Sequence, residues 1–130
     1  MIRPPPAEDQ LVLEAMVKDE DTRGKAVGPQ RLRLLWDVAQ VPDFRKLRPE
    51  IQARLMMQVY QHLVTGDQVL PEDWIAGHVD RIDRTDGDIH VLMDRIAAIR
   101  VWTFITHRND WMTDSLAWQE RTREVEDRLS

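Results

Sequence analysis

The sequence predicts an all-α fold, a compact bundle of five or six helices. Apolar residues recur at helical spacing along most of the 130 residues, whereas a convincing strand-like alternation is found nowhere. Most of the seven prolines and five glycines fall where a helix would begin or end. A hydrophobic fraction of 42% beside 32% charged residues is typical of a globular chain that buries its own core.

The N-terminal third divides at its prolines and glycines. Residues 1–6, which read MIRPPP, are predicted to form an extended lead-in, and residues 7–130 a single helical domain. A first helix is predicted over 7–20 and a polar, glycine-punctuated loop over 18–28. Pro29 then begins a second helix, because proline at the first helical position loses no hydrogen bond. The apolar spacing gives this helix a predicted inner face of Leu32, Leu35, Trp36 and Ala39.

The strongest helical pattern lies between Pro49 and about Thr65. Its apolar residues form one wide stripe, the pattern of a helix packed on a core: Ile51, Leu55, Met56, Val59, Tyr60 and Leu63. A shorter helix is predicted from Pro71 to Ile82, with acidic residues in its first turn, where the helix dipole favours them.

A long central helix is predicted over about 88–107, directly after the acidic stretch 83–88 (DRTDGD), with Ile89, Leu92, Met93, Ile96 and Ile99 along one inner face. This stretch does not fit a calcium-binding EF-hand loop, because placing its glycine at position 6 puts isoleucine, arginine and methionine at positions 1, 3 and 12. Thr85 and Asp88 fit a capping box with aspartate in place of glutamate, so a helix start is the favoured interpretation.

Two weaker metal hypotheses remain beside the helix start. Asp83, Asp86 and Asp88 could together bind a divalent cation, and His90 and Asp94 lie four residues apart on the predicted helix. Acids within one turn are more often helix caps, and pairs of the second kind are usually surface contacts. No metal ligand is therefore assigned.

The last helix, predicted over about 114–129, carries a narrow apolar stripe on an otherwise solvated surface. Trp111, Trp118 and Val125 recur every seven residues among charged neighbours, a spacing close to that of a coiled-coil seam. The stripe is a candidate surface for docking a partner helix or for self-association. No stop signal precedes Ser130, so the helix is expected to continue in a longer protein.

The motif content argues against catalysis by this chain alone. Cysteine is absent, and the sequence contains no phosphate-binding glycine loop, dinucleotide fingerprint or nucleophile elbow. No catalytic residue and no cofactor are therefore predicted. The N-terminus is not a signal peptide and no apolar stretch is long enough to span a membrane, so a cytoplasmic, reducing location is expected.

A basic, proline-bounded loop is the candidate nucleic-acid contact. Phe44, Arg45, Lys46 and Arg48 combine an aromatic ring with three cations, which could stack on a base and hold phosphates. A solvated loop is the alternative, since the formal net charge of −5 argues against a protein that binds nucleic acid by charge alone.

Several segments together resemble a known family. The stretches RLRLLWDVAQVPDFRK, LPEDWIA, RIDRTDGDIHVLMDRIAAIRVWTFITHRNDW and WQERTREVEDRLS are similar, in the same order, to the C-terminal helical region of bacterial, chiefly alphaproteobacterial, DExH-box helicases. These are related to the RNA helicase of the mitochondrial degradosome. The resemblance covers nearly the whole chain, although Ala39 stands where the family has a cysteine.

The resemblance implies an accessory domain in a larger, ATP-dependent helicase. ATP and magnesium would then bind upstream motor domains, which would also be the partners of this chain. In the family, the helical region packs on the motor and helps to enclose a single strand, which implies contact with single-stranded RNA here.

Overall fold

The computed structural model describes residues 8–130, and that part of the chain contains helices but no strand. The prediction of a compact all-α fold is confirmed, whereas the lead-in predicted over 1–6 lies outside the described residues. The α-helices are α1 Glu8–Val17, α2 Glu20–Lys25, α3 Pro29–Ala39, α4 Pro49–Thr65, α5 Glu72–Ile82, α6 Ile89–Thr106 and α7 Ser115–Leu129, and a 3₁₀ helix, Asn109–Trp111, precedes α7.

The short helix α2 corrects the predicted N-terminal division. The first helix ends at Val17, and a new helix occupies part of the stretch predicted as a loop. Asp19 is its N-cap: the carboxylate accepts hydrogen bonds from the backbone N–H of Thr22 at 2.9 Å and from its hydroxyl at 2.8 Å. A capping side chain thus starts a polar helix whose sequence has almost no apolar periodicity from which it could be predicted.

One continuous core connects all the larger helices. Helix α4 packs on α1, α2 and α3, while α6 packs on α5 and α7. The backbone N–H of Leu70, in the loop after α4, donates to the carbonyl oxygen of Trp111 at 2.8 Å and ties the two groups of helices together. The core therefore runs the length of the described chain, from Val12 to Leu129.

The inner face of α3 is rotated relative to the prediction. Leu35 and Ala39 are buried as expected and Val38 joins them, but Leu32 is 54% exposed and Trp36 lies at the surface. The buried stripe of α3 is therefore narrower than predicted and consists of Leu35, Val38 and Ala39.

The central helix α6 is also buried over only part of its length. Its second half supplies the core residues Ile99, Val101, Trp102, Ile105 and Thr106. In the first half, which was predicted to belong to the same inner face, Ile89 is 68% exposed and Met93 is exposed as well. Leu92 and Ile96, from the same half, are partly buried against the core. The predicted extent of the helix is close to the observed one, but Ile89 and Met93 lie at the surface.

Candidate functional site: an arginine-lined groove

A groove of about 380 Å³ lies where α4, α5 and α6 meet the loop before α4. Four arginines line it, and each comes from a different one of these segments: Arg45, Arg54, Arg81 and Arg95. Leu55, Val101 and Trp102 are among its apolar lining residues, and no aspartate or glutamate lines it. The groove therefore combines apolar surface with a concentration of positive charge, inside a chain whose formal net charge is −5.

Three of the four arginines form no ion pair within residues 8–130, namely Arg45, Arg54 and Arg81. Of these, Arg54 and Arg81 are exposed at the groove. Arg95 is held differently: its guanidinium donates to the carbonyl oxygens of Arg84 and Asp86 and lies 3.7 Å from the Asp86 carboxylate. The charges at the groove are thus only partly neutralised by the protein.

Arg45 is half-buried and poorly hydrogen-bonded. Its Nε–H is buried without a partner among the described residues, and its Nη2 donates a long hydrogen bond of 3.4 Å to Oε1 of buried Gln52. Burial lowers the pKa of Arg45, while nearby Asp43 raises it. A guanidinium that has lost water without gaining full hydrogen bonding is destabilised, and an anion in the groove would offset that cost.

Aromatic stacking fixes the histidine of the groove. The His78 ring stacks on Trp102 with 4.8 Å between centroids and an angle of 26°, and Trp74 contacts His78 edge-on at 5.0 Å. Nδ1 of His78 lies 3.4 Å from a guanidinium nitrogen of Arg81. Burial lowers the pKa of His78 first, followed by the charges of Arg81, Arg45 and His62. The ring therefore favours its neutral form unless a negative charge enters the groove.

The structure separates the residues of the predicted basic loop. Only Arg45 lines the groove, whereas Phe44 and Lys46 are exposed beside it. Arg48 is the N-cap residue of α4, and its side chain is 80% exposed, 3.9 Å from Glu50. These side chains do not form one pocket, although all of them lie on the loop that borders the groove.

The predicted docking stripe lies inside the chain's own fold. Val125 is buried and Trp118 is half-buried where α7 packs along α6, and Trp111 is buried in the 3₁₀ helix before α7. The stripe is broken at its first member, since Trp111 belongs to the 3₁₀ helix and not to α7. A partner could reach Val125 only if α7 moved away from the core, whereas Trp118 is partly accessible.

The acids of the stretch 83–88 have separate structural roles. Asp83 accepts hydrogen bonds from Arg121 at 3.0 Å and from Arg128 at 2.8 Å and 3.0 Å. Asp86 pairs with Arg84 through two hydrogen bonds of 3.1 Å. No cluster of three or more metal-ligating side chains forms within residues 8–130.

Asp88 supplies the cap of α6. Its carboxylate accepts the backbone N–H of Val91 at 3.0 Å, so Asp88 itself is the N-cap residue. The predicted arrangement, with Thr85 as the cap and Asp88 three residues into the helix, is therefore shifted by three residues. The interpretation of the stretch as a helix start is correct.

Four cationic or titratable groove residues were missed by sequence reasoning, namely Arg54, His78, Arg81 and Arg95. A local signal was available: Ile51, Arg54, Leu55 and Gln58, all at the groove, follow helical i, i+3, i+4, i+7 spacing. His78 and Arg81 are likewise three apart on α5. What the sequence did not show is that these two helix faces meet.

The comparisons with known proteins leave the family open. No protein-family model matches the chain, and no similarity to a curated protein or a solved structure is detected. No α-helix within residues 8–130 has the length and hydropathy needed to cross a lipid bilayer. The resemblance to helicase C-terminal regions therefore stays a prediction, and function must be argued from the groove.

Proposed function

We propose that this chain is an accessory helical domain that holds single-stranded nucleic acid, with RNA as the favoured strand, through the arginine-lined groove. The observation that carries the proposal is the meeting of four arginines at a partly apolar groove that no carboxylate lines. Arginine is the residue best suited to bind phosphate, because its planar guanidinium can donate two parallel hydrogen bonds.

The apolar surface of the groove supports the same proposal. Ile51, Leu55 and Ile82 offer a surface for the uncharged part of a nucleotide, while exposed Phe44 lies on the bordering loop. Single-strand binding proteins combine cationic grooves with apolar or aromatic platforms in this way. The resemblance to helicase C-terminal regions gives this activity a setting: the domain would brace upstream, ATP-driven motor domains in the cytoplasm and contribute to the path of the strand.

The experiment measures binding of a labelled single-stranded RNA by fluorescence anisotropy at low salt. We compare the chain with Arg54→Gln/Arg81→Gln, which removes two exposed groove charges that form no ion pair within residues 8–130. For a single strand, log K falls with log salt by about 0.7 per phosphate contact, so the double variant should lose about 1.4 from the slope. Affinity at about 50 mM salt should fall by about tenfold or more.

A matched control separates the groove from general charge. Arg23→Gln/Arg123→Gln removes the same charge from exposed positions on α2 and α7 and should bind as the unaltered chain does. If both double variants lost the same affinity for the RNA, the effect would be due to the net charge of the chain and not to the groove. Absence of binding by the unaltered chain would reject the proposal, as would full retention of binding by the groove variant.

The alternative, a stand-alone protein-interaction module, lacks the surface on which it was predicted. Val125 on α7 and Trp111 in the preceding 3₁₀ helix are both buried, so docking or self-association through them would require these helices to move away from the core. Light scattering across a range of concentrations tests it. Self-association that is abolished by Trp118→Ala would favour this alternative, and a monomer at all concentrations would count against it.

A further inference from the structure

The groove is small compared with a path for a nucleic-acid strand. About 380 Å³ lies near the lower limit of small-molecule pockets and suits a single nucleotide unit more closely than a run of several. Proteins that follow a strand without sequence preference distribute their cations along it, roughly one for each phosphate contacted. In this chain, by contrast, four arginines line one small groove.

The charge at the groove exceeds what one phosphodiester needs. A phosphodiester carries a single negative charge, whereas a phosphate monoester carries about −1.5 to −2 near neutral pH and exposes three acceptor oxygens. Asp86 accounts for part of the charge of Arg95, whereas Arg45, Arg54 and Arg81 form no ion pair within the described chain, although Asp43 lies near Arg45. The unpaired positive charge therefore exceeds the single charge of a phosphodiester and suits a dianionic group.

The incomplete hydrogen bonding of Arg45 is an independent sign of a missing acceptor. Its buried Nε–H has no partner within residues 8–130, and its one side-chain hydrogen bond, to Gln52, is long at 3.4 Å. Native proteins seldom leave a buried guanidinium nitrogen unpaired, because the loss of water is not recovered. A multiply charged oxyanion in the groove would draw this guanidinium forward at little cost in existing bonds.

We infer that the groove binds the terminal phosphate monoester of a nucleotide chain, with the end nucleotide against its apolar surface. The inference rests on the proposed function and deepens it, because it specifies an end of the strand instead of an internal segment. The 5′ and 3′ phosphate ends share this chemistry, so the two are distinguished by experiment.

The test uses competition against a labelled single-stranded RNA by unlabelled oligomers of one sequence. These carry a 5′ phosphate, a 3′ phosphate, or hydroxyl groups at both ends. One phosphorylated oligomer should compete about tenfold more strongly than the hydroxyl oligomer, and the preferred end identifies the ligand. Equal competition by all three oligomers would overturn the inference, while the proposed function would stand if Arg54→Gln/Arg81→Gln still weakened binding of every oligomer.

A second variant tests the groove without removing an arginine. Gln58 is exposed and lines the groove, so Gln58→Glu places a carboxylate of almost the same shape among the guanidinium groups. It should abolish most of the preference for the phosphorylated end. Gln61→Glu makes the same change on an exposed position of α4 that does not line the groove, and it should keep the preference. A preference that survives Gln58→Glu unchanged would place the end-binding site elsewhere and overturn the inference.

Discussion

Asp83 joins the end of α5 to α7, and its removal should measurably destabilise the fold. Its side chain is only 19% exposed and accepts three hydrogen bonds from Arg121 and Arg128. Exposed ion pairs contribute about 0.2–1 kcal/mol, and hydrogen bonds to charged groups about 1.5–3 kcal/mol. Because both arginines are partly exposed, Asp83→Asn should lower the free energy of unfolding by about 1–2 kcal/mol, and Tm by about 4–8 °C for a chain of this size.

Unfolding is followed by circular dichroism and tryptophan fluorescence in denaturant and on heating. Asp80→Asn is the matched control, because Asp80 accepts one hydrogen bond from Arg121, at 3.0 Å, but its side chain is 66% exposed. That variant should lose no more than about 0.5 kcal/mol. Equal stability of the Asp83 and Asp80 variants would refute the reasoning that shielding makes the Asp83 contacts stronger.

The same contact predicts a dependence on pH. Hydrogen bonds from Arg128 lower the pKa of Asp83 below 3.8, against the opposing effect of burial and with help from Arg121. A carboxylate with a lowered folded-state pKa stabilises the protein above its unfolded-state pKa, and that stabilisation is lost as pH falls through the folded-state value. The stability difference between the unaltered chain and Asp83→Asn should therefore be constant from neutral pH to about pH 5 and shrink below about pH 4.

Three further predictions concern the cap, the buried stripe and the groove histidine. Asp88→Ala should lower the free energy of unfolding, measured by chemical denaturation, by about 1 kcal/mol because α6 loses its N-cap hydrogen bond. A comparable loss in Thr85→Ala would instead support Thr85 as the cap, as the capping box predicted from sequence requires. Val125→Ala should lower the free energy of unfolding by about 1.5–3 kcal/mol, since the side chain is fully buried; a near-neutral effect in urea titrations would mean that α7 is loosely attached. Because burial lowers the pKa of His78, the free energy of unfolding should fall as pH drops from 6.5 towards the folded-state pKa. His78→Gln should therefore make the urea midpoint less dependent on pH in that range, whereas His90→Gln, at an exposed position, should leave this dependence unchanged.

Helical periodicity predicted the larger helices well because their cores are built from local repeats. Pro29, Pro49 and Pro71 each stand at or next to the observed start of a helix, and the apolar stripe of α4 is largely buried. Helix α2 was missed because its six residues contain no apolar stripe and depend on the side chain of Asp19. Ile89 and Met93 of α6 were misassigned because periodicity shows which residues share a face, and not how far a neighbouring helix covers that face.

The groove was beyond the reach of sequence reasoning for a different reason. Its arginines are separated by up to 50 residues, and only Arg45 lies in a cluster that a scan along the chain can recognise. The decisive property, the meeting of cationic faces from α4, α5 and α6 without a carboxylate among the lining residues, depends on how the helices pack. The negative net charge of the chain argued against nucleic-acid binding, because net charge averages over a surface on which positive and negative side chains are unevenly distributed.

The pairing of charges elsewhere explains how an acidic chain can present a cationic groove. Arg121 and Arg128 bind Asp83, and Arg100 binds Glu126, so these arginines stabilise contacts of α7 with α5 and α6. Arg95 makes the link to the groove: the backbone carbonyls of the acidic stretch hold its guanidinium at the groove wall. The aspartate-rich turn, which suggests a cation site by composition, thus helps to position the guanidinium of Arg95 at the wall of the proposed anion site. Its backbone holds this arginine in place, while the carboxylate of Asp88 caps α6 and that of Asp83 connects α5 to α7.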